Sequence, residues 1–221
     1  MQFNQSPSKV GTAVSFVVNQ FKENKVRALT ILGVLIVGFV LTFIIVSTRQ
    51  KYDVRASDLY SQGYGLILAG NQSGNPQQQQ QGVTTLEDLI KVYPKTPAAY
   101  EARLILSDFQ FAQNNFAQAL NFVYEVSQKG NPKAIRPIGL YRAIYIYDQT
   151  NDIDNAIKNS NDFIKKYSDN YLIRDVYMNL ARYYLMKGDK DSSKKTYNDI
   201  LIKFPATEEA SIAQRFIEGI Q

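Results

Sequence analysis

The sequence predicts an all-α protein made of an N-terminal transmembrane helix, an α-solenoid of about four helical hairpins, and a terminal capping helix. Three observations lead to this fold class. A run of 21 uncharged residues occupies positions 28–48. Apolar residues then recur at helical spacing through most of the remaining chain. Within that part, a set of small and large residues returns in steps of 37 positions, which indicates a repeat architecture.

The apolar run 28–48 is predicted to be a transmembrane helix that contacts membrane lipid. At about 1.5 Å per residue it reaches roughly 31 Å, which matches the hydrocarbon core of a bilayer. A buried helix of a soluble protein rarely stays uncharged for so long. A cleaved signal peptide has an apolar core of about 7–15 residues before small residues at a cleavage site, whereas this run continues into Arg49 and Lys51. We therefore expect an uncleaved single span.

Residues 1–27 are predicted to form a cytoplasmic segment. Within it, Val10 to Asn24 places apolar and polar residues at near-helical spacing, which favours a short amphipathic helix on the bilayer surface. A simple extension of the membrane helix is the alternative. A short basic N-terminus before the first span usually stays inside, and a long C-terminal domain is translocated largely regardless of its charge. The remainder of the chain is therefore expected outside the cytoplasm.

Charge and composition exclude several functions. The net charge is +5, yet residues 1–55 alone carry seven basic and two acidic side chains, so residues 56–221 sum to zero. The domain therefore lacks the basic surface that nucleic acid requires. The chain contains no cysteine and no histidine, which removes thiol and imidazole catalysis and nearly all zinc and haem ligand sets. No catalytic, cofactor-binding or metal-binding residues and no small-molecule substrate are predicted.

Residues 49–221 are predicted to be the repeat domain. A small residue expected at a helix crossing recurs every 37 positions as Ala119, Ala156 and Ser193. The same step joins the turn pairs and the closing positions of the units, which are Asn114-Asn115, Asn151-Asp152 and Gly188-Asp189, and Pro94, Asn131, Ser168 and Pro205. The last unit is the clearest, with helices near Arg174–Lys187 and Asp191–Lys203. Each unit therefore reads as two amphipathic helices joined by a tight polar turn.

Three local features complete the domain. The first unit, near Ala56–Tyr93, carries a polar run with five consecutive glutamines, so a mobile Gln-rich loop is predicted over residues 71–82. Glu208 to Ile220 is predicted to be the terminal helix that covers the last repeat. Two acidic pairs, Asp152/Asp154 and Asp189/Asp191, lack the ligand spacing of a calcium loop. They are expected to cap the second helices.

The last unit, VYMNLARYYLMKGDKDSSKKTYNDILIKFP, resembles a tetratricopeptide repeat (TPR). The positions that match the family's pattern of large, small and turn residues are Tyr177, Leu180, Ala181, Tyr184, Gly188, Ser193, Tyr197 and Pro205. The two preceding units depart from that pattern, with Gln110 in an aromatic position and Ile144 in a small one. The step of 37 also exceeds the usual repeat length of about 34. The resemblance implies a non-catalytic, protein-binding scaffold.

The layout as a whole resembles the ancillary subunits of the bacterial Sec translocon, in which a short cytoplasmic segment and one span precede a periplasmic TPR-like array. The segment AVSFVVNQFKENKVRAL and the Gly-containing span after it carry this similarity. It implies a location in the bacterial inner membrane with the repeat domain in the periplasm. It also implies partners among the translocon, chaperones and newly exported chains.

The face of the first helices that should point to the inner side of the array is the candidate protein-binding groove. Its mixture of apolar, aromatic and acidic side chains suits an extended or helical peptide segment. An ordinary solvated face is the alternative. By register, the twelve residues are Glu101, Leu104, Asp108, Phe111, Ile138, Tyr141, Tyr145, Asp148, Asp175, Met178, Arg182 and Leu185.

The sequence thus predicts a membrane-anchored, extracytoplasmic scaffold that binds other proteins and is not an enzyme. The leading version is an accessory to protein translocation or chaperone hand-over at the inner membrane. One alternative is a structural subunit of a large envelope assembly, such as a scaffold around a periplasmic flagellar motor. Another is an envelope enzyme that relies on isolated carboxylates, for example Asp108 and Asp148.

Overall fold

The structure, a computed structural model, describes Ser15 and residues 25–219. Within this part the chain forms α-helices, one short 3-10 helix and no strand. The elements are α1 (Lys25–Ser73), α2 (Pro76–Val92), α3 (Pro97–Ala112), α4 (Phe116–Lys129), the 3-10 helix η1 (Lys133–Ile135), α5 (Arg136–Gln149), α6 (Ile153–Lys166), α7 (Ile173–Met186), α8 (Lys190–Lys203) and α9 (Glu208–Gly219). The predicted all-α fold class is confirmed.

The chain divides into two compact units, Met1–Lys51 and Tyr52–Gln221. Apart from Ser15, the described part of the first unit is the N-terminal portion of α1, whose most apolar window has a mean hydropathy of 3.0 and is 0% buried. By length and composition α1 is the candidate membrane span of residues 25–219. Inside the span, Thr30 and Thr42 each donate a hydrogen bond of 2.8 Å to the carbonyl four residues earlier. The amphipathic helix expected over Val10–Asn24 falls almost wholly outside the described residues.

The second unit is an array of hairpins in which, from α2 onward, each helix packs against the next. The end of α1 pairs with α2, and the later pairs are α3 with α4, α5 with α6, and α7 with α8. The second helices α4, α6 and α8 start at Phe116, Ile153 and Lys190, two steps of 37 (153 − 116 and 190 − 153). The first helices α3, α5 and α7 end at Ala112, Gln149 and Met186, again two steps of 37. The repeat register predicted from the sequence is confirmed.

The turn inside each hairpin uses the same backbone conformation. Asn114 and Asn151 have φ of 59° and 57°, and Gly188 has φ of 78°. Glycine and asparagine adopt this left-handed region more readily than other residues do. Asp152 and Asp189 then accept hydrogen bonds from the backbone N–H groups three residues ahead, at 3.2 Å and 3.0 Å. The capping role predicted for these two carboxylates is confirmed.

Small side chains lie where the two helices of a hairpin cross. Ala119, Ala156 and Ser193 are fully buried. The hydroxyl of Ser193 donates a hydrogen bond of 2.8 Å to the carbonyl of Ala181 on the facing helix, so its polar atom is satisfied in the core. The two helices of a hairpin approach closely at these positions. Large apolar residues pack between hairpins and build three hydrophobic clusters along the array.

The prediction of a mobile Gln-rich loop over residues 71–82 was wrong. The α1 helix continues to Ser73, Gly74 turns with φ of 64°, and the five glutamines Gln77–Gln81 belong to the first turns of α2. Asn75 caps that helix by accepting from the N–H groups of Gln77 and Gln78, and Pro76 is its first residue, where proline is tolerated. Glutamine is a good helix former once a cap begins the helix.

Helix α9 closes the array, as predicted for Glu208 onward. Ala210 and Ala213 are buried against the last repeat. The ring of Phe216 stacks on that of Tyr197, with centroids 5.3 Å apart. Burial of the outer side of α8 in this way satisfies the need of a repeat array for a terminal cap.

Candidate protein-binding face

The twelve residues predicted for the groove lie on α3, α5 and α7, four on each helix. Glu101, Ile138 and Asp175 each stand eleven residues before the end of their helix (112 − 101, 149 − 138 and 186 − 175), so they occupy equivalent positions. We call the exposed surface of α3, α5 and α7, together with the C-terminal part of α1 near Tyr60, the first-helix face. The helices that build it are held by the hairpin packing described above.

Ion pairs connect successive first helices across this face. Arg142 on α5 places Nη1 2.8 Å from both carboxylate oxygens of Asp108 on α3. Arg182 on α7 places Nη2 2.7 Å from Oδ2 of Asp148 on α5. Each of these two acid–arginine pairs spans 34 residues in sequence. The first helices therefore lie side by side and are crosslinked by a ladder of charge-assisted hydrogen bonds.

Desolvation and pairing together shift the pKa values of two of these groups. Desolvation raises the pKa of Asp108 above its usual value, and the guanidinium of Arg142 opposes this rise. Desolvation lowers the pKa of Arg182, but the hydrogen bond and charge of Asp148 outweigh it, so the net pKa of Arg182 is raised. Both arginines are already engaged by a carboxylate.

Aromatic rings form the centre of the face. The ring of Phe111 lies 5.5 Å from that of Tyr145 on the next first helix and 5.4 Å from that of Phe116. Tyr145 is 50% exposed. A half-exposed ring held by its neighbours offers contact area at a small cost in side-chain entropy, as an anchor residue at a protein interface does.

Two carboxylates of the face, Glu101 and Asp175, act on tyrosines. Near the start of the array, Tyr60 and Tyr64 stack with centroids 5.8 Å apart. Desolvation and then the charge of Glu101 raise the pKa of Tyr60, and the charge of Arg142 opposes this rise. Near the end of the array, desolvation and then the charge of Asp175 raise the pKa of Tyr141, and Tyr171 raises it further.

Not all of the twelve residues are available to a partner. Leu104 is only 7% exposed and belongs to the core, so its expected position on the groove surface was wrong. Its side chain belongs to a cluster that includes residues of α4 and α5, and its carbonyl accepts a hydrogen bond of 2.7 Å from Arg142. Six others are partly buried, namely Phe111, Ile138, Tyr141, Asp148, Met178 and Leu185.

Sequence reasoning missed Arg142, Tyr60 and Tyr171. The positions equivalent to Arg142 in the neighbouring repeats are Ile105 and Asn179, so the step of 37 does not single out an arginine at this position. An acid followed by an arginine 34 positions later, which occurs at Asp108 and again at Asp148, was the available signal. Tyr171 lies in the connection before α7 and could not be placed from helix periodicity.

A second concavity lies between the second helices α2 and α4. It has a volume of about 690 Å³ and is lined by Glu87, Ile90, Lys91, Arg103, Asn121, Phe122, Tyr124, Glu125 and Gln128. At its edge Arg103 is buried and donates a hydrogen bond of 2.6 Å to Glu125. Within residues 25–219 no group of three acidic, histidine or cysteine side chains is placed to hold a metal ion.

The fold is similar to those of solved TPR proteins. A tetratricopeptide repeat protein from Parabacteroides merdae aligns with a TM-score of 0.56 and 13% identity, covering 74% of this chain and 60% of that one. TPR-like repeats assigned to a kinesin light chain of Podospora anserina align with a TM-score of 0.53 and 16% identity, covering 73% of this chain and 84% of that one. The chain thus spans three fifths of the Parabacteroides structure. At such identities the likeness concerns the fold alone.

No curated protein matches the sequence significantly. Residues 19–216, by contrast, match a defined protein family, the tetratricopeptide repeat-like domain. That match covers most of the chain and includes all of the hairpins described above. The chain belongs to the tetratricopeptide repeat-like domain family.

Proposed function

We propose that the chain is a membrane-anchored scaffold that presents its repeat domain outside the cytoplasm and binds other polypeptides there, as an accessory to protein translocation or chaperone hand-over at a bacterial inner membrane. The observation that carries the proposal is the first-helix face, where half-exposed rings such as Tyr145 stand beside charged groups. TPR domains generally act by binding proteins, which supports the coarse part of the proposal.

The membrane part of the proposal is supported by α1. Its apolar window lies wholly exposed, so no protein core covers it, and lipid is the environment that suits such a surface. Thr30 and Thr42 satisfy their hydroxyls on their own helix, as a polar group in hydrocarbon must. The translocation role rests on the resemblance of the layout, with one span before a TPR-like array.

Photo-crosslinking from the first-helix face tests the function. A photoreactive amino acid at position 145 is compared with one at position 211, an exposed site on α9 outside the face. We expect many crosslinked species at position 145 that disappear when protein synthesis is stopped before irradiation, because clients in transit are then cleared. One crosslinked species that persists after synthesis stops would favour a fixed assembly subunit instead. Equal, weak crosslinking at both positions would overturn the proposal.

The orientation has its own test. Protease added outside the inner membrane of opened cells should digest the repeat domain and leave a fragment of the membrane segment. A repeat domain that is digested only after the inner membrane is dissolved would place it in the cytoplasm and contradict the proposed location.

A further inference from the structure

Two exposed carboxylates of the first-helix face are available to a partner. The two arginines that bridge successive first helices, Arg142 and Arg182, are engaged by Asp108 and Asp148. Glu101 and Asp175 are exposed, and within residues 25–219 neither carboxylate has an ion-pair partner. These two arginines and four carboxylates have a net charge of −2. The two uncompensated charges, on Glu101 and Asp175, come from equivalent positions two repeats apart.

Each of the two uncompensated carboxylates acts on a tyrosine that has a second tyrosine near it. The Glu101 site is defined as Glu101 with the stacked rings of Tyr60 and Tyr64. The Asp175 site is defined as Asp175 with Tyr141 and Tyr171. The side chain of Tyr171 is 71% exposed, and the Asp175 charge acts on the hydroxyl of Tyr141. The array has thus built the same combination twice from different helices.

A carboxylate beside aromatic rings is an environment that favours a basic side chain. The carboxylate accepts charge-assisted hydrogen bonds from an ammonium or guanidinium group. The faces of neighbouring rings attract the same cation and cover its alkyl stem. An acidic side chain finds no equivalent partner at Arg142 or Arg182, because these two arginines are already neutralised by their own aspartates.

The face between the two sites carries apolar side chains alongside the ion pairs described above. The position equivalent to Glu101 and Asp175 in the middle repeat is Ile138, which is partly exposed. Tyr145 and Phe111 add their rings on the same helices. A segment that crosses from one site to the other therefore meets apolar surface midway.

We propose that the first-helix face binds an extended polypeptide segment carrying two basic side chains separated by apolar residues, with one basic group at the Glu101 site and the other at the Asp175 site. This inference rests on the proposed function and specifies the chemistry of its clients. Charge complementarity selects this occupant over an acidic peptide, because the only uncompensated charges of these six groups are carboxylates.

Peptide binding to the full chain tests the inference. The chain is placed in nanodiscs of a zwitterionic phospholipid, so that the lipid does not recruit the basic peptide. Fluorescently labelled peptides with two lysines and a leucine-rich middle are titrated by anisotropy, with the lysine spacing varied between about two and eight residues. We expect one preferred spacing and no measurable binding of the matched peptides in which glutamate replaces lysine.

Charge-neutral substitutions locate the binding. Glu101→Gln and Asp175→Asn should each weaken the preferred lysine peptide by about three- to tenfold, as expected for one partly exposed ion pair assisted by ring contacts. Asp191→Asn makes the same charge change on α8, outside the face, and should leave binding unchanged. Tyr171→Leu should weaken binding while Tyr171→Phe should not, because phenylalanine keeps the ring face. Circular dichroism of each variant checks that the array is folded.

Two results would overturn the inference. One is tighter binding of the glutamate peptides, and the other is unchanged lysine-peptide binding in the double variant of Glu101 and Asp175. Neither result changes the outcome expected from the crosslinking test at position 145. If clients still crosslink there while the charge variants bind the lysine peptide normally, the scaffold function stands and the basic-segment specificity fails.

Discussion

The guanidinium of Arg142 joins two repeats by holding Asp108 of the preceding first helix at 2.8 Å and the carbonyl of Leu104 at 2.7 Å. One side chain thus satisfies both a carboxylate and a backbone group on α3. The Asp108 side chain is 58% exposed and the Arg142 side chain 30% exposed, so water screens the charge interaction. The carbonyl contact does not involve Asp108, so we expect it to remain when Asp108 is removed.

The two single variants at this pair should differ in stability. Asp108→Ala is expected to lower the free energy of unfolding by about 0.5 kcal/mol, the value typical of an exposed ion pair. Arg142→Ala also removes the hydrogen bond to Leu104, so about 1–2 kcal/mol is expected. Urea denaturation followed by circular dichroism measures both, and the double variant gives the coupling energy. As a control, the more exposed pair Lys187–Asp154 should show a coupling nearer zero. A larger coupling there would contradict the argument from exposure.

Gly82 is required by the close crossing of α1 and α2 in the first hairpin. A Cβ at this position would lie 2.5 Å from the carbonyl oxygen of Gly63 and 2.7 Å from Cγ1 of Ile67. Gly82→Ala should therefore lower the free energy of unfolding by about 1–3 kcal/mol through overpacking. Gly65→Ala is the matched control, since its Cβ meets nothing within 4 Å and should stabilise the helix by up to about 1 kcal/mol. Equal effects in urea denaturation would refute the predicted contact.

Substitutions at Gly188, in a left-handed turn, measure the cost of backbone strain without a change in packing. Its φ is 78° and an added Cβ would meet open space, so only the backbone conformation opposes a side chain. Gly188→Ala should destabilise the array by roughly 1 kcal/mol. Gly188→Asn should retain most of the stability, because asparagine occupies the equivalent turns at Asn114 and Asn151. The measurement is chemical denaturation of both variants, and an asparagine variant as unstable as the alanine one would contradict it.

The cap of α8 predicts a specific dependence on pH. The hydrogen bonds from Ser192 lower the pKa of Asp189 below its ordinary value of 3.8. Because the pKa of Asp189 is lower in the folded than in the unfolded state, its contribution to stability is complete above the unfolded-state pKa. The contribution is lost as the pH falls through the folded-state pKa. Asp189→Asn keeps a capping oxygen but cannot titrate. The stability of the native chain should therefore fall relative to this variant only below about pH 4. Thermal unfolding from pH 7 to 3 measures the difference, and curves that stay parallel would exclude the linkage.

A charge in the middle of the apolar segment should prevent stable insertion of the chain. Gly38 has open space around it, so a substitution there leaves the helix itself unstrained. Gly38→Arg is expected to add about 2.5–3.5 kcal/mol to the free energy of insertion, whereas Gly38→Leu should favour insertion. The resistance of the chain to extraction from membranes at alkaline pH measures the effect. If both variants remain equally bound, α1 is not the anchor.

The repeat register was predictable because it depends on the size of single residues at fixed positions. Ala119, Ala156 and Ser193 are small for a physical reason, since facing backbones leave no room for more, and their spacing alone gives the length of the unit. The helix ends followed from that spacing and from the turn residues. Tertiary packing agrees with the helix ends that this regular spacing predicts.

The loop predicted over residues 71–82 was wrong because the polar composition of this run indicates a loop, whereas the cap at Asn75 starts a helix. A polar, glutamine-rich run cannot bury a core, but it can form the exposed turns of a helix whose later residues do so. In α2, Val83 and Leu86 provide that buried face, and Asn75 starts the helix. The pairing of Asp108 with Arg142 was also beyond sequence periodicity, because it depends on how far one first helix is shifted along the next.

Identical hairpin boundaries have a consequence for how this chain can evolve. Because α4 and α6 end at Lys129 and Lys166, 37 residues apart, loss of the 37 residues between those two ends would rejoin equivalent points of neighbouring units. Duplication between the same points would add one module with its turn and its crossing residue already in place. The reach of the array can therefore change in whole modules during descent, and each intermediate would keep a complete core.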